Sequence, residues 1–202
     1  MPRMEHTGLR IRHEKWWSRS KYVNPKYRMP TVTKLSVHSH RGNAPSEVPT
    51  AVITISDTRT LSSDSGGALV SSLLRKAGHR TTRREVVPDN PEKIHAVILE
   101  ALEEELTRAV ITTGGTGIAP RDVTPETIRP LFDREVPGFG EIFRMLSYSD
   151  IGSASILSRA IAGIRREKVI VALPGSKGAI GLAMERLVVP ELGHLVGEAT
   201  KR

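Results

Sequence analysis

From Thr50 onward, short apolar runs rich in β-branched residues alternate with segments that have the apolar spacing of helices. The runs lie at Ala51–Ser56, Arg108–Thr113 and Lys168–Leu173, with a weaker one near Thr82–Val87. Runs that stay apolar along their length are typical of strands covered on both faces. Because helices separate these strands, the pattern indicates a mainly parallel sheet. We therefore predict an α/β fold, with one three-layer α/β/α domain over residues 49–202.

Three of the predicted helices carry start or stop signals. The first spans Ser65–Ala77 and ends at Gly78. The second has Asn90 as its N-cap and Pro91 at its first position. Its apolar stripe contains Ile94, Val97, Ile98, Ala101, Leu102 and Leu106. A third helix has Thr124 as its cap and Pro125 as its start, and a C-terminal helix carries an apolar stripe from Ile180 to Val188.

Residues 1–48 differ in composition from the rest of the chain. They contain ten Lys and Arg against three Glu, whereas residues 49–202 contain 20 basic and 19 acidic side chains. A basic segment with aromatic residues such as Trp16 and Trp17 is one way to bind nucleic acid. Composition alone is a weak signal, so we predict a flexible basic extension that does not bind nucleic acid. The alternatives are a late translation start, with Met29 as one candidate, and an organellar transit peptide, which Glu5 and Glu14 disfavour.

The composition also excludes several classes of protein. The chain has no cysteine, which excludes a disulfide framework, a thiolate zinc site, an iron–sulfur cluster and a cysteine nucleophile. Apolar runs such as Val169–Leu173 are too short to cross a bilayer, and no signal-peptide pattern opens the chain. We expect a soluble, cytoplasmic protein.

The loops that follow the predicted strands are rich in glycine and serine. In an open parallel sheet, ligands bind beyond the carboxyl ends of the strands. Glycines let backbone N–H groups approach a phosphate, and helix N-termini add a partial positive charge. The loop Gly114–Gly117 lacks the Lys-Ser/Thr pair of a P-loop, and none of the loops contains G-x-G-x-x-G. One such loop alone would be an ordinary tight turn, but three at strand ends predict an anion site.

Two acids follow the predicted strands as well. Asp89 and Asp122 each precede a helix, where an Asp is often only a cap. If both face the same edge of the sheet, they can hold Mg²⁺ together with substrate phosphates. The pair Ser158-Arg159 either supplies a hydroxyl and a guanidinium to an anion or is an exposed helix end. The histidines lack ligand spacing, so we expect His79 at the surface.

The same residues form motifs that resemble the signature of the MoaB/Mog family of molybdenum cofactor biosynthesis proteins. The central motif is Thr112–Gly117 followed by Pro120–Glu126. Six flanking motifs occur in the same order: Ser56-Asp57, Asp64–Gly66, Val87–Asp89, Arg134–Gly140, Leu157–Arg159 and Leu173–Gly175. The resemblance covers residues 50–195, and the segment Leu131–Ile164 is more similar to the MoaB branch than to the Mog branch.

The resemblance implies a three-layer fold that assembles as trimers, sometimes paired into hexamers. It also implies molybdopterin adenylyltransferase activity, with Mg²⁺ as cofactor and with ATP and molybdopterin as substrates. The terminal phosphate of molybdopterin attacks the α-phosphate of ATP, which gives adenylyl-molybdopterin and pyrophosphate. The product then goes to a molybdenum-insertion protein.

The resemblance also implies roles for individual residues. Asp89 and Asp122 match the family's two essential acids, which bind Mg²⁺ and position the reacting phosphates. The expected substrate-binding residues are Ser56, Asp57, Gly114, Gly115, Thr116, Gly117, Ser158, Arg159, Pro174, Gly175 and Ser176. Among these, Gly114–Gly117 matches the phosphate cradle and Ser158-Arg159 a pterin-contacting pair. Ser176 stands where the family commonly has Asn.

Two other functions remain open at this point. Some MoaB-branch proteins have lost the acids and are catalytically inactive, so a catalytically silent molybdopterin-binding oligomer is the first alternative. This chain keeps both acids and the intact string from Arg121 to Pro125, which favours an active enzyme. The second alternative is a protein that resembles the CinA or MoeA group, but the chain lacks their large extra domains.

Overall fold

The computed structural model describes residues 44–201, which contain one six-stranded sheet. The strands are β1 (Pro49–Ile55), β2 (Arg80–Val87), β3 (Ala109–Thr113), β4 (Arg134–Glu135), β5 (Ile161–Arg165) and β6 (Lys168–Leu173). Their order across the sheet is β2-β1-β3-β6-β5-β4. The first four strands in this order run parallel, β5 is antiparallel to β6, and β4 is antiparallel to β5. The prediction of a mainly parallel sheet is therefore confirmed.

Helices cover both faces of the sheet. They are α1 (Ser65–Lys76), α2 (Pro91–Glu103), α3 (Thr124–Ile128), α4 (Pro137–Ile151), α5 (Lys177–Ala183) and α6 (Val189–Ala199). One hydrophobic core joins α1, α4, α5 and α6 to one face and includes the fully buried Leu74, Phe143 and Met184. A second core joins α2 and α3 to the other face through Ile98 and Ile128. The three-layer α/β/α architecture is thus confirmed.

The predicted helix signals have mixed outcomes. Asn90 caps α2 by accepting a hydrogen bond from the backbone N–H of Lys93, as predicted. Leu106 does not belong to that helix: α2 ends at Glu103, and Leu106 is 62% exposed. Thr124 is not a cap either, because the N-cap of α3 is Val123 and the Thr124 hydroxyl bonds elsewhere. The C-terminal helix is interrupted by a π-helical segment at Met184–Val188, between α5 and α6.

Most of the predicted N-terminal extension lies outside the described residues. Its last residues, 44–48, lie against the domain: Val48 is fully buried, and Ala44 approaches Gly197 of α6. The Val48 backbone N–H donates to Nδ1 of His79 at 3.2 Å. His79 is half-buried, so its predicted surface position is wrong, and burial lowers its pKa. Within residues 44–201, no helix combines the length and apolarity needed to span a membrane.

Candidate active site

The predicted site residues gather at one edge of the sheet because of its topology. Parallel strands β2, β1, β3 and β6 all end there, and β5 begins there because it runs in the opposite direction. This edge therefore receives Asp89 after β2, Ser56-Asp57 after β1, Gly114–Gly117 after β3, Pro174–Ser176 after β6 and Ser158-Arg159 before β5.

The loop Gly114–Gly117, which we call the glycine loop, needs glycine at its first two positions. Gly114 has φ +104°, and a Cβ there would collide with the carbonyl oxygen of Ile55. Gly115 has φ +62°, and a Cβ there would lie 2.9 Å from Oδ1 of Asp89 and would collide with Oγ1 of Thr124. Both conformations are ones that residues with a side chain rarely adopt. At Gly115 the missing side chain leaves the space that the Asp89 carboxylate and the Thr124 hydroxyl occupy.

Neighbouring residues hold the glycine loop in place. The Thr124 hydroxyl donates to the carbonyl oxygen of Gly114 at 3.0 Å, and the Thr124 backbone N–H donates to Gly115 at 3.0 Å. On the other side, Arg159 donates from its backbone N–H to Thr116 and from its Nε to Gly117 at 2.7 Å. Arg159 also donates to the Asp122 carbonyl oxygen and forms an ion pair with Glu126. The Arg159 guanidinium is therefore engaged by the protein itself.

Three carboxylates lie close together beside the glycine loop. The Asp89 backbone N–H donates to Oδ1 of Asp57 at 3.1 Å. The pKa of Asp89 is raised, first by burial and then by the negative charges of Asp57 and Asp122, while Arg121 opposes the shift. Asp122 accepts a hydrogen bond from the backbone N–H of Ala119 at 2.9 Å. Within residues 44–201, none of the three acids forms an ion pair with a Lys or Arg.

This acid cluster has the donor chemistry for a divalent cation that is shared with a substrate. The described residues contain no group of three or more His, Asp or Glu side chains that could hold a metal alone. Mg²⁺ commonly takes only one or two carboxylates and completes its shell with water and substrate phosphates. Asp89 and Asp122 can supply those two carboxylates, and their mutual repulsion would be relieved by a cation.

A cavity of about 350 Å³, here the loop cavity, opens on one side of the glycine loop. Its lining includes Gly114, Ser56, Gly175, Arg59 and Lys177. The first residues of α1 (Ser65 and Gly66) and of α5 (Lys177) line this cavity, so the positive ends of two helices and two cationic side chains lie at it. Its one carboxylate, from Asp64, is neutralised by Arg84 at 2.9 Å. The loop cavity therefore favours an anion.

A second cavity, of about 500 Å³, lies on the other side of the glycine loop and is here called the α4 cavity. Ser158, Arg159 and residues of α3 and α4 line it. The Ser158 hydroxyl is buried and has no hydrogen-bond partner among the described residues. Because the same Arg159 binds Gly117 and the Asp122 carbonyl oxygen, this cavity adjoins the acid cluster.

Several predicted residues have local hydrogen bonds that sequence patterns did not reveal. The Ser176 hydroxyl caps α5 by accepting from the Ala179 N–H at 3.3 Å. The Ser56 hydroxyl accepts from the backbone N–H of Thr58 at 3.3 Å. Two residues with clear positional roles were missed: Thr124 as the partner of the glycine loop, and Arg84 as the partner of Asp64. The sequence offered no signal for the second, because Arg84 stands in a strand whose first six residues, Arg80 to Glu85, are all polar or charged.

Comparison with known proteins shows the family to which this chain belongs. Residues 51–194 match a family model described as a probable molybdopterin binding domain. The molybdenum cofactor biosynthesis protein B of Bacillus subtilis is 51% identical over 168 residues, which are 83% of this chain and 99% of that protein. The chain belongs to the MoaB/Mog family. A crystal structure of a molybdenum cofactor biosynthesis protein B matches with a TM-score of 0.77 at 49% identity, covering 79% of this chain and 99% of that one.

More distant proteins share the fold. The tungsten cofactor synthesizing protein MoaB from Pyrococcus furiosus matches with a TM-score of 0.71 at 37% identity, covering 78% of this chain and 100% of that one. A CinA protein from Thermoplasma acidophilum matches with a TM-score of 0.51 at 18% identity, which shows the fold alone. The resemblance in residues 50–195 is therefore confirmed as a family relationship.

Proposed function

We propose that this MoaB/Mog protein acts in molybdenum cofactor biosynthesis as a molybdopterin adenylyltransferase. A terminal phosphate oxygen of molybdopterin forms a bond to the α-phosphorus of ATP. The bond from that phosphorus to the bridging oxygen breaks, and pyrophosphate leaves. The observation that carries the proposal is that Asp89 and Asp122 lie beside the glycine loop and that neither forms an ion pair with a Lys or Arg in residues 44–201.

The residues of this chain divide the work of phosphate transfer. Arg59 and Lys177 of the loop cavity, together with the backbone at Gly175, would hold the phosphates of ATP. Asp89 and Asp122 would hold Mg²⁺, which neutralises charge that develops on the transferred group. Arg159 would keep the glycine loop aligned through its bonds to Gly117 and Asp122 rather than through a direct contact with the nucleotide.

We further propose that the protein assembles as a homotrimer or as a hexamer. Helix α4 and the turn after it expose a run of large apolar side chains. They are Ile142, Met145, Tyr148, Ile151, Ile156 and Leu157, between 44% and 78% exposed. A contiguous apolar face of this kind usually marks an interface. The adenylylated product would leave this assembly for a protein that inserts the metal.

The alternative function is a catalytically silent oligomer that binds molybdopterin. The high identity to proteins named molybdenum cofactor biosynthesis protein B favours this silent form. The sequence resembles the MoaB branch of the family, and part of that branch lacks activity. Retention of both acids favours the active enzyme. Tight molybdopterin binding without release of pyrophosphate would select the silent form.

The experiment that tests the proposal measures pyrophosphate release from ATP, Mg²⁺ and molybdopterin. We expect Asp122→Ala to lower the rate at least about 100-fold, because charge stabilisation at the transferred group is lost. Glu185→Gln is the matched control: it removes an exposed carboxyl from the π-helical segment, away from the glycine loop, and should leave the rate unchanged. An Asp122→Ala protein as fast as wild type would refute the role of this acid.

A further inference from the structure

The loop cavity contains one carboxylate among groups that favour an anion. Its charged lining residues are Arg59, Lys177 and Asp64. Within residues 44–201 neither Arg59 nor Lys177 forms an ion pair, so both positive charges remain available to a ligand. The Asp64 side chain is only 2% exposed, and an uncompensated carboxylate at this position would repel a phosphate. Asp64 by itself therefore opposes the binding that the two cationic side chains favour.

Asp64 lies in the cavity wall because helix α1 begins there. Its Oδ1 accepts from the backbone N–H of Gly67 at 2.8 Å, which caps the helix. The carboxylate and the first turn are in close contact, since a Cβ at Gly67 would collide with Oδ2 of Asp64. Asn or Ser can cap a helix as well as Asp does and without a charge. The cap alone thus does not account for the negative charge.

Arg84 of β2 compensates this charge from behind the wall of the cavity. Its Nη2 forms an ion pair with Oδ2 of Asp64 at 2.9 Å and donates to the Asp64 carbonyl oxygen at 3.1 Å. Arg84 is not itself a lining residue of the cavity. Charge-assisted hydrogen bonds of this kind are strong and directional. Arg84 therefore fixes the position of the Asp64 carboxylate and neutralises it without reaching the ligand space.

The neighbouring Arg83 has the same charge but serves the other face of the sheet. Successive side chains of a strand point to opposite faces. Arg83 accordingly pairs with Glu100 of α2 and with Glu85 and Glu104, whereas Arg84 reaches the start of α1. The two side chains are 25% and 28% exposed. They therefore differ in the face that they serve and hardly at all in burial.

We propose that Arg84 is a positioning residue for the phosphates of ATP: by holding and neutralising Asp64, it sets the affinity of the loop cavity for a polyphosphate. The inference rests on the proposed function, in which Arg59 and Lys177 hold these phosphates. Without Arg84, the Asp64 carboxylate would offset one of the two cationic side chains at the ligand. Arg84 touches no reacting atom and acts only through Asp64.

The test measures the binding of pyrophosphate to the whole chain by isothermal titration calorimetry in metal-free buffer. Pyrophosphate carries only the phosphate end of the substrate, and without metal the acid cluster cannot bind it through a cation. We expect Arg84→Met to weaken binding about tenfold, because an uncompensated carboxylate then faces the anion. Arg83→Met is the matched control, with the same change of charge in the same strand, and should leave the affinity unchanged. Equal losses in the two variants would overturn the inference.

Removing the carboxylate separates this role from a structural one. Asp64→Asn keeps a cap for α1 and leaves the charge of Arg84 uncompensated, so we expect binding about threefold tighter than in wild type. In the double variant Asp64→Asn/Arg84→Met the affinity should return to within about twofold of wild type, because the two charges are removed together. A double variant as weak as Arg84→Met would mean that Arg84 supports the fold or contacts the anion directly, and the positioning role would be refuted. If Arg84→Met does not fold, Asp64→Asn decides alone: an affinity no higher than that of wild type refutes the role.

The outcomes distinguish this inference from the proposed function. If wild type releases pyrophosphate from ATP and molybdopterin but Arg84→Met binds pyrophosphate as tightly as wild type, the role of Arg84 is refuted and the proposed function stands. If wild type releases none but its binding of pyrophosphate depends on Arg84, the adenylyl transfer fails and the role of Arg84 in the anion site stands. A wild-type protein that binds no pyrophosphate would overturn the inference, because the loop cavity would then not be an anion site.

Discussion

Two acidic regions at the same edge of the sheet differ in how their charges are compensated. Asp64 has a side chain only 2% exposed, pairs with Arg84, and caps α1 by accepting from the Gly67 N–H at 2.8 Å. Asp89 faces Asp57 and Asp122 instead, and burial together with these charges raises its pKa. Asp64 thus contributes to the stability of the fold, whereas the negative charges of the acid cluster repel one another and lower it. Charges left uncompensated in a folded protein are candidates for ligand binding.

The largest effect that this contrast predicts is on stability. Asp64→Ala removes the cap of α1 and leaves Arg84, whose side chain is 28% exposed, without its carboxylate. We expect a loss of about 3 kcal/mol in the free energy of unfolding, measured by urea denaturation. Asp57→Ala, which removes an exposed acid from the cluster, should change it by no more than about 0.5 kcal/mol. Equal losses in the two variants would abolish the distinction.

We expect a smaller loss of stability when the support of the glycine loop by Thr124 is removed. Thr124→Val keeps the shape of a fully buried residue and removes the hydroxyl that donates to Gly114. We expect a loss of about 1 kcal/mol, because the carbonyl oxygen of Gly114 loses this donor. Thr127→Val is the matched control in the same helix, where the hydroxyl only bonds back to Val123. A control loss as large as that of Thr124→Val would show that the bond to Gly114 is not special.

An element of the fold could be predicted where its pattern of apolar residues matches one clear type of burial. The runs that became β1, β3 and β6 are apolar because both of their faces are covered, so they stand out in the sequence. Helix α4 was missed because it has no single apolar stripe: Phe143 is buried, whereas Met145 and Tyr148 are more than 60% exposed. Strand β4 has only two residues, which is too short for any pattern.

In the candidate site, too, some features could be predicted from the sequence and others could not. Asp89 and Asp122 could be predicted because acids after parallel strands share one edge once the sheet order is known. Their roles stay predictions until activity is measured. The bonds from Thr124 to Gly114 and from Arg84 to Asp64 could not be predicted, because both partners are brought together by tertiary packing.

The smallest expected effect concerns the acid cluster itself. Asp89→Asn should raise the free energy of unfolding by a few tenths of a kcal/mol at pH 7.5 in metal-free buffer with EDTA, because it removes repulsion at a partly exposed site. The sign follows from the raised pKa: folding disfavours the ionised carboxyl, so wild type loses stability as the pH rises through that pKa. The difference between the two proteins should therefore vanish in acid, where wild-type Asp89 is protonated, and saturating Mg²⁺ should reverse it by stabilising only wild type. A more stable variant without activity would mean that Asp89 is retained for its ligand; a less stable one would mean that it supports the fold, as Asp64 does.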